Sequence, residues 1–179
     1  MHEQERLTLE LTDALRDATR AAVTALFQEH QEEHFYYCSL ITTGEGLAPN
    51  LTAWSTEALD SASNGDPVAR SELKWSYADS PYYCYGEQHF SRVRDIFEKL
   101  DELGAKDHST PSNYELKMSA MVSAMRQLDK EGLFGTGRRR NDIVVNVECM
   151  PPDQSNTVRA KQLNPPTALS EWLSEAAES

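Results

Sequence analysis

The residues His30, Glu33 and His34 have the types and spacing of a metal-dependent site. Two histidines four positions apart, with a carboxylate between them, form the inverted zinc-peptidase pattern, in which the acid acts as general base. This chemistry requires the motif to lie inside a helix beside a third ligand. Here the aromatic residues 35–37 follow at once and would turn His34 away from His30. We therefore disfavour a metal at these residues, expect no cofactor, and keep as the alternative a solvated helix end with two surface histidines.

A second candidate is the glycine-rich stretch 132–137, which leads into Arg138, Arg139 and Arg140. Glycines allow backbone N–H groups to turn toward a phosphate, and arginine forks match its oxygens. The stretch has neither the Walker lysine nor a G-x-G-x-x-G ahead of a helix. The alternative is a helix C-cap and loop whose arginines are solvated or pair with carboxylates. Anion binding is therefore a hypothesis that the sequence leaves open.

Aromatic side chains are concentrated in residues 75–90, and Trp54 precedes them. Large rings contribute contact area at low entropic cost, so they often line ligand pockets or anchor interfaces. The alternative is that they cover one edge of the core. The candidate partner-binding or ligand-binding residues in this part of the chain are Trp54, Trp75, Tyr77, Asp79 and Tyr82.

The charge of the chain is strongly negative and unevenly distributed. The 179 residues carry a formal net charge of −12, which argues against nucleic acid or an anionic membrane as the partner. Residues 1–60 hold eleven acidic and three basic side chains, whereas residues 111–179 hold nine and eight. The acidity of the N-terminal third predicts that any protein partner is basic.

Length, hydropathy and cysteine spacing predict where the protein is found. No apolar stretch is long enough to span a membrane, and the N-terminal residues lack a secretory signal pattern. The three cysteines form no C-x-x-C pair, so neither a disulfide framework nor a thiolate zinc cluster is indicated. We expect a cytoplasmic protein that forms one domain over residues 1–179.

Hydrophobic periodicity predicts an α+β fold. Apolar residues recur at helical spacing from Leu7 to Leu26, which predicts a long first helix ending near residues 28–34. Residues 35–42 and 51–55 are expected to form a hairpin, and residues 142–148 a further strand. Further helices are expected at residues 57–59, 90–103 and 116–128, and a final helix is expected to start at Asn164. We expect a mixed or mainly antiparallel sheet of about four strands, packed against four to five helices.

Several strings in the sequence are distinctive in combination. They are residues 18–27, 35–47 (FYYCSLITTGEGL), 53–59 (AWSTEAL), 73–82, 128–135 (LDKEGLFG) and 163–165. Through them the chain resembles a bacterial family that is described only as a domain of unknown function, a resemblance that implies no activity and no catalytic residues. In size, acidity and its tryptophans the chain is also loosely similar to the small α+β immunity proteins that bacteria pair with toxins, including the SMI1/KNR4-like group.

Two functions follow as hypotheses. The first is a non-enzymatic, immunity-like module that binds a basic, toxin-like protein, with tryptophans and tyrosines as anchors. The second is a small-molecule-binding protein or enzyme, with a pocket between the aromatic residues 75–85 and the arginines 138–140 and with Glu45, Asp79 or Asp129 as acid–base groups. A concave site where an arginine, a carboxylate and tyrosines converge would favour the second, and a shallow acidic face would favour the first.

Overall fold

The computed structural model describes residues 3–106 and 113–178 of the chain. Within these ranges it has three strands, β1 (Phe35–Thr43), β2 (Asn50–Ser55) and β3 (Val144–Met150). The α-helices are α1 (Glu3–Glu29), α2 (Thr56–Ser63), α3 (Pro67–Leu73), α4 (Ser91–Lys106), α5 (Asn113–Lys130), α6 (Gln154–Leu163) and α7 (Pro166–Glu175). Short 3-10 helices span Glu87–Phe90 and Gly137–Asp142. Over the same ranges, no helix is both long enough and apolar enough to cross a membrane.

The three strands form one mixed sheet with β1 in the centre. The strand β2 pairs with β1 in the antiparallel sense, with Leu51 opposite Leu40, so the predicted hairpin is confirmed. The strand β3 pairs with the other edge of β1 in the parallel sense, with Val147 opposite Leu40. Most of β1 is buried on both faces, which explains its nearly unbroken run of apolar and aromatic residues.

The expected number of about four strands is wrong, because helix α6 lies where a fourth strand would pair. The side chains of Asn156, Arg159 and Asn164 bond to backbone groups along the outer edge of β3. Covering an edge with a helix is one way in which proteins prevent further strand pairing.

The expected four to five helices are also too few for the seven α-helices of the described chain. The two helices that hydrophobic periodicity does not predict, α3 and α6, lack a clear apolar stripe. Helix α3 has no buried residue, and half of the buried residues of α6 are polar. Hydrophobic periodicity therefore carries little signal for either helix.

Helices cover both faces of the sheet. Helices α1, α4 and α5 pack on one face through side chains such as Leu15, Phe97 and Met121. The opposite face forms a smaller cluster, in which Trp54 of β2 packs with Trp172 of α7. The predicted first helix is confirmed and ends at Glu29.

The last helix begins later than predicted. Asn164 is extended, with φ −125° and ψ 149°, and its side chain bonds to β3, so α7 starts at Pro166.

Three segments meet at one end of the sheet, where β1 begins at Phe35. The strand β2 runs antiparallel to β1 and ends there, with Ser55 opposite Phe35. The strand β3 runs parallel to β1, so the segment that leads into it from α5 reaches the same end. The C-terminal end of α1 lies there as well, because only residues 30–34 separate it from β1.

Candidate functional site

A cleft of about 680 Å³ opens at this end of the sheet. One wall comes from the end of α1 and the start of β1, and the other from the segment between α5 and β3. The lining residues are Phe27, His30, Gln31, Glu33, His34, Phe35, Gly132, Leu133, Phe134, Gly135, Arg139, Asp142 and Ile143. Its volume lies in the range of small-molecule sites, and it combines apolar side chains with a few polar groups, as such sites do.

Glu33 is the centre of a hydrogen-bond network in this cleft. Its carboxylate accepts from the hydroxyl of Ser55, and the Tyr82 hydroxyl donates to both of its oxygens at 2.7 and 2.8 Å. The Nδ1 atom of His30 lies 3.0 Å from Oε1. Burial raises the pKa of Glu33, but the hydrogen bonds from Ser55, Tyr82 and His30 lower it by more, so the pKa lies below its ordinary value. The carboxylate is therefore held in its charged form.

The same network fixes the ring of His30. Its Nδ1 atom is also 3.2 Å from the Tyr82 hydroxyl, and the two rings meet edge to face at 4.8 Å. Burial and the bond to Glu33 raise the pKa of Tyr82, which keeps the phenol protonated as a donor. When Nδ1 carries the proton and donates to Glu33, the Nε2 atom is the ring nitrogen left for a ligand.

His34 does not join His30 in a metal site. Because α1 ends at Glu29, the two histidines do not share a helical face. The exposed ring of His34 instead bonds to Glu57, with Nδ1 at 2.6 Å from Oε1, and the His34 N–H donates to the other oxygen at 2.7 Å. Bonding by His34 lowers the pKa of Glu57 to about 2, and bonding to Glu57 raises the pKa of His34. Across residues 3–106 and 113–178, no three His, Cys, Asp or Glu side chains are grouped to hold a metal ion.

The three consecutive arginines have different environments. Arg140 is buried and bonds to Asp129 and to the carbonyl groups of Ile143 and Leu163, so it joins the end of α5 to β3 and α6. Arg139 is exposed and lines the cleft, and no described carboxylate lies within ion-pair distance of it. Arg138 is also exposed but does not line the cleft.

The glycine-rich stretch forms the C-cap of α5. The N–H groups of Gly132 and Leu133 donate to the carbonyl groups of Asp129 and Leu128, at 3.0 and 3.1 Å. Gly132 has φ +83°, a left-handed conformation that is typical of a helix C-cap. The N–H of Gly135 also donates within the stretch. Three of the donors that a phosphate would need are therefore already used.

The aromatic candidates lie mainly in the core or at its edge. Trp54 is fully buried, and its indole N–H donates to the carbonyl of Ser76 at 2.7 Å. The indole of Trp75 donates to Glu175 at 2.8 Å, which ties this segment to α7. Tyr77 is half-buried.

Tyr82 is the aromatic candidate that the structure brings to the cleft network, through its hydroxyl group. None of the proposed acid–base groups Glu45, Asp79 and Asp129 lines the cleft. Glu33 is the carboxylate of the network that lines the cleft. The sequence pattern indicates for Glu33 only a role in a zinc site.

Ser55 contributes to the network in a way that its sequence neighbours do not predict. Its hydroxyl accepts from the N–H of Ala58 as the N-cap of α2, which is the role that its position suggests. It also donates to Glu33 across the hairpin. No local sequence pattern predicts this second role, because Ser55 and Glu33 are brought together by the register of β1 and β2.

The chain belongs to the family described as a domain of unknown function, DUF4303, whose family model matches residues 15–165. This range contains every residue that lines the cleft. No curated protein and no solved structure matches the chain.

Proposed function

We propose that this chain is a single-domain bacterial cytoplasmic protein that acts as a non-enzymatic, immunity-like binding module. It docks a basic, toxin-like protein at the acidic end of α1, by which we mean Glu29, Glu32 in the turn that follows the helix, and Tyr85, which bonds to Glu29. The proposal rests on the difference between these carboxylates and those in the middle of the same helix.

The carboxylates in the middle of α1 are neutralised by the protein itself. Arg16 lies 3.0 Å from Asp13, and Arg20 lies 3.0 Å from Asp17. Further along the chain, Arg92 of α4 lies 3.1 Å from Glu10. Three carboxylates of α1, Glu10, Asp13 and Asp17, are therefore paired within the fold.

The acidic end of α1 has no such balance, and this observation carries the proposal. Glu29 and Glu32 are exposed, and none of the described lysines or arginines lies within ion-pair distance of either. Glu29 is the last residue of a 27-residue helix, where the macrodipole is negative and a carboxylate is disfavoured by about 0.3–1 kcal/mol, and Glu32 lies in the turn that follows. Lysines or arginines of a partner would remove this repulsion and would speed the encounter.

The ring of Tyr85 provides an uncharged part of the same surface. Its hydroxyl donates to Glu29, and the residue is half-buried. Interfaces commonly combine an aromatic anchor with a charged rim.

The test is binding to the products of the genes that adjoin the one for this chain, measured by calorimetry and stopped-flow mixing. The double variant E29K/E32K should slow association with the true partner by about 10-fold or more at low salt. The matched control, E98K/E102K, makes the same charge change on exposed residues of α4 and should leave the rate nearly unchanged. Failure of every neighbouring product to bind, or equal slowing by both variants, would refute the proposal.

A second function, a small-molecule-binding protein or enzyme, is favoured by one specific observation. Arg139 lines the same cleft as the pair formed by Glu33 and His30. An arginine and a carboxylate that converge in one concave site favour a ligand site over a docking face. The Tyr82 hydroxyl adds a tyrosine to this arrangement, because it bonds to the carboxylate of Glu33. The test is a thermal-shift screen of small molecules followed by NMR. A compound that raises the unfolding temperature should also shift the NMR signals of cleft residues.

A further inference from the structure

We infer that the cleft binds a small organic acid whose oxyanion contacts Arg139 and His30 and whose apolar part lies on Phe27 and Phe35. This inference rests on the second proposed function and does not depend on a protein partner. It specifies the chemistry of the ligand, which neither the family assignment nor the cleft volume provides.

The first argument is the lack of a partner for Arg139 in a strongly acidic chain. The net charge is −12, and Arg16, Arg20, Arg70, Arg92 and Arg140 form ion pairs with carboxylates. Arg94, Arg126, Arg138, Arg139 and Arg159 form none with the described residues, and of these five Arg139 is the one that lines the cleft. Arg139 forms none with the described residues, although Asp142 also lines the cleft. A guanidinium presents a planar fork of donors that matches the two oxygens of a carboxylate or phosphate.

The second argument is that the hydrogen bonds of Glu33 are used within the protein. Ser55, Tyr82 and His30 together occupy both of its oxygens. Glu33 therefore serves to position His30, and it offers little to a cationic ligand. Because Nδ1 of His30 is held by Glu33 and Tyr82, Nε2 is the ring nitrogen that can contact a ligand in the cleft. An oxyanion accepts from Nε2 when the ring is an imidazolium, in which Nδ1 donates to Glu33 and Nε2 donates to the ligand.

The third argument is the apolar surface between these groups. The rings of Phe27 and Phe35 lie 4.9 Å apart at an interplanar angle of 37°, and both are only partly buried. Leu133 lines the opposite side. An inorganic ion would leave this surface in water, whereas an aromatic or aliphatic acid would cover it.

The probes are phenylacetate, phenyl phosphate, acetate and inorganic phosphate, each titrated into the full chain by calorimetry. The two aromatic acids should bind more tightly than acetate and inorganic phosphate, because only they cover the phenylalanine rings. Comparison of phenylacetate with phenyl phosphate shows which oxyanion is preferred. If neither aromatic acid binds at concentrations up to about 10 mM, the inference is overturned.

Two adjacent exposed arginines provide a matched pair of variants. R139Q should weaken binding of the preferred aromatic acid by about 10-fold to 100-fold, the range for loss of a charge-assisted hydrogen bond. R138Q removes the same charge one residue away, outside the cleft, and should change the affinity by less than about 2-fold at moderate salt. Equal weakening by the two variants would show a non-specific effect of charge and would overturn the inference.

The contact with His30 is tested in the same way. H30A should weaken binding, whereas H89A removes an exposed histidine that does not line the cleft and should not. Thermal unfolding of each variant without ligand shows that it is folded. If other compounds shift the NMR signals of cleft residues but aromatic acids do not, the second proposed function stands and this inference fails. If no compound shifts them, both fail.

Discussion

The side-chain amide of Asn164 forms the two hydrogen bonds with Val145 that a neighbouring strand would form. Its Oδ1 accepts from the N–H of Val145 at 2.8 Å, and its Nδ2 donates to the carbonyl of the same residue at 2.6 Å. Asn156 repeats the arrangement at Cys149, with distances of 2.8 and 3.1 Å. The edge of β3 is thus closed by side chains of α6 and its C-cap, which is why the sheet stops at three strands.

Substituting Asn164 should therefore destabilise the fold strongly. N164A leaves a buried N–H and a buried carbonyl of Val145 without partners and also removes an acceptor for Arg140. We expect a loss of about 2–4 kcal/mol in the free energy of unfolding, measured by urea denaturation. The control N141A changes an exposed asparagine and should stay within about 0.5 kcal/mol of the parent protein. A loss no larger than that of the control would contradict the role assigned to Asn164.

The buried carboxyl group of Glu148 should make stability depend on pH. It accepts from the hydroxyl of the buried Tyr37 at 2.6 Å. Burial raises its pKa, and hydrogen bonds from Tyr37 and Ser39 only partly oppose this. Because the folded state then holds the proton more tightly than the unfolded state, the stabilising contribution is complete below the unfolded pKa of 4.5 and is lost as the pH rises through the folded pKa.

The variant E148Q removes this titration and keeps the shape of the side chain. The free energy of unfolding of E148Q should increase relative to that of the parent protein between about pH 4 and pH 8, because only the parent protein loses the contribution of Glu148 as the pH rises. E45Q, in an exposed turn, should show no such trend. Parallel stability curves for the parent protein and E148Q over this range would mean that the pKa of Glu148 is not raised.

The hydroxyl of Tyr82 should stabilise the charged form of Glu33. Y82F keeps the ring, which lies 5.5 Å from that of Phe35, but removes the donor to both carboxylate oxygens. The pKa of Glu33 should then rise, and the free energy of unfolding near pH 7 should fall by about 1–3 kcal/mol.

The difference in the free energy of unfolding between Y82F and the parent protein should become smaller at acidic pH. The folded pKa of Glu33 is depressed, so its contribution is present above the unfolded value and is lost as the pH falls through the folded one. Unfolding at about pH 7 and about pH 3, with NMR titration of Glu33, measures both effects. Y83F alters an exposed tyrosine and serves as the control. A difference that is the same at both pH values would exclude electrostatic coupling to Glu33.

Residue types and spacing were enough to predict features whose signal is local. The apolar stripe from Leu7 to Leu26 predicted α1, because helical period and burial coincide there. The hairpin of β1 and β2 followed from two β-prone runs with a short connection. Helix α6 was missed because its buried residues include Asn156 and Thr157, whose contacts with distant backbone groups leave no periodic pattern.

The candidate site shows the same limit. Sequence alone determined that His30 and Glu33 lie close together, that three arginines are consecutive, and that the acidity is concentrated in the N-terminal third. Tertiary packing brings Ser55 and Tyr82 to Glu33, buries Arg140 and places Arg139 at the cleft, and no local pattern predicts these contacts. The physical reason is that local conformation follows from neighbours along the chain, whereas partners and burial depend on how the sheet brings distant segments together.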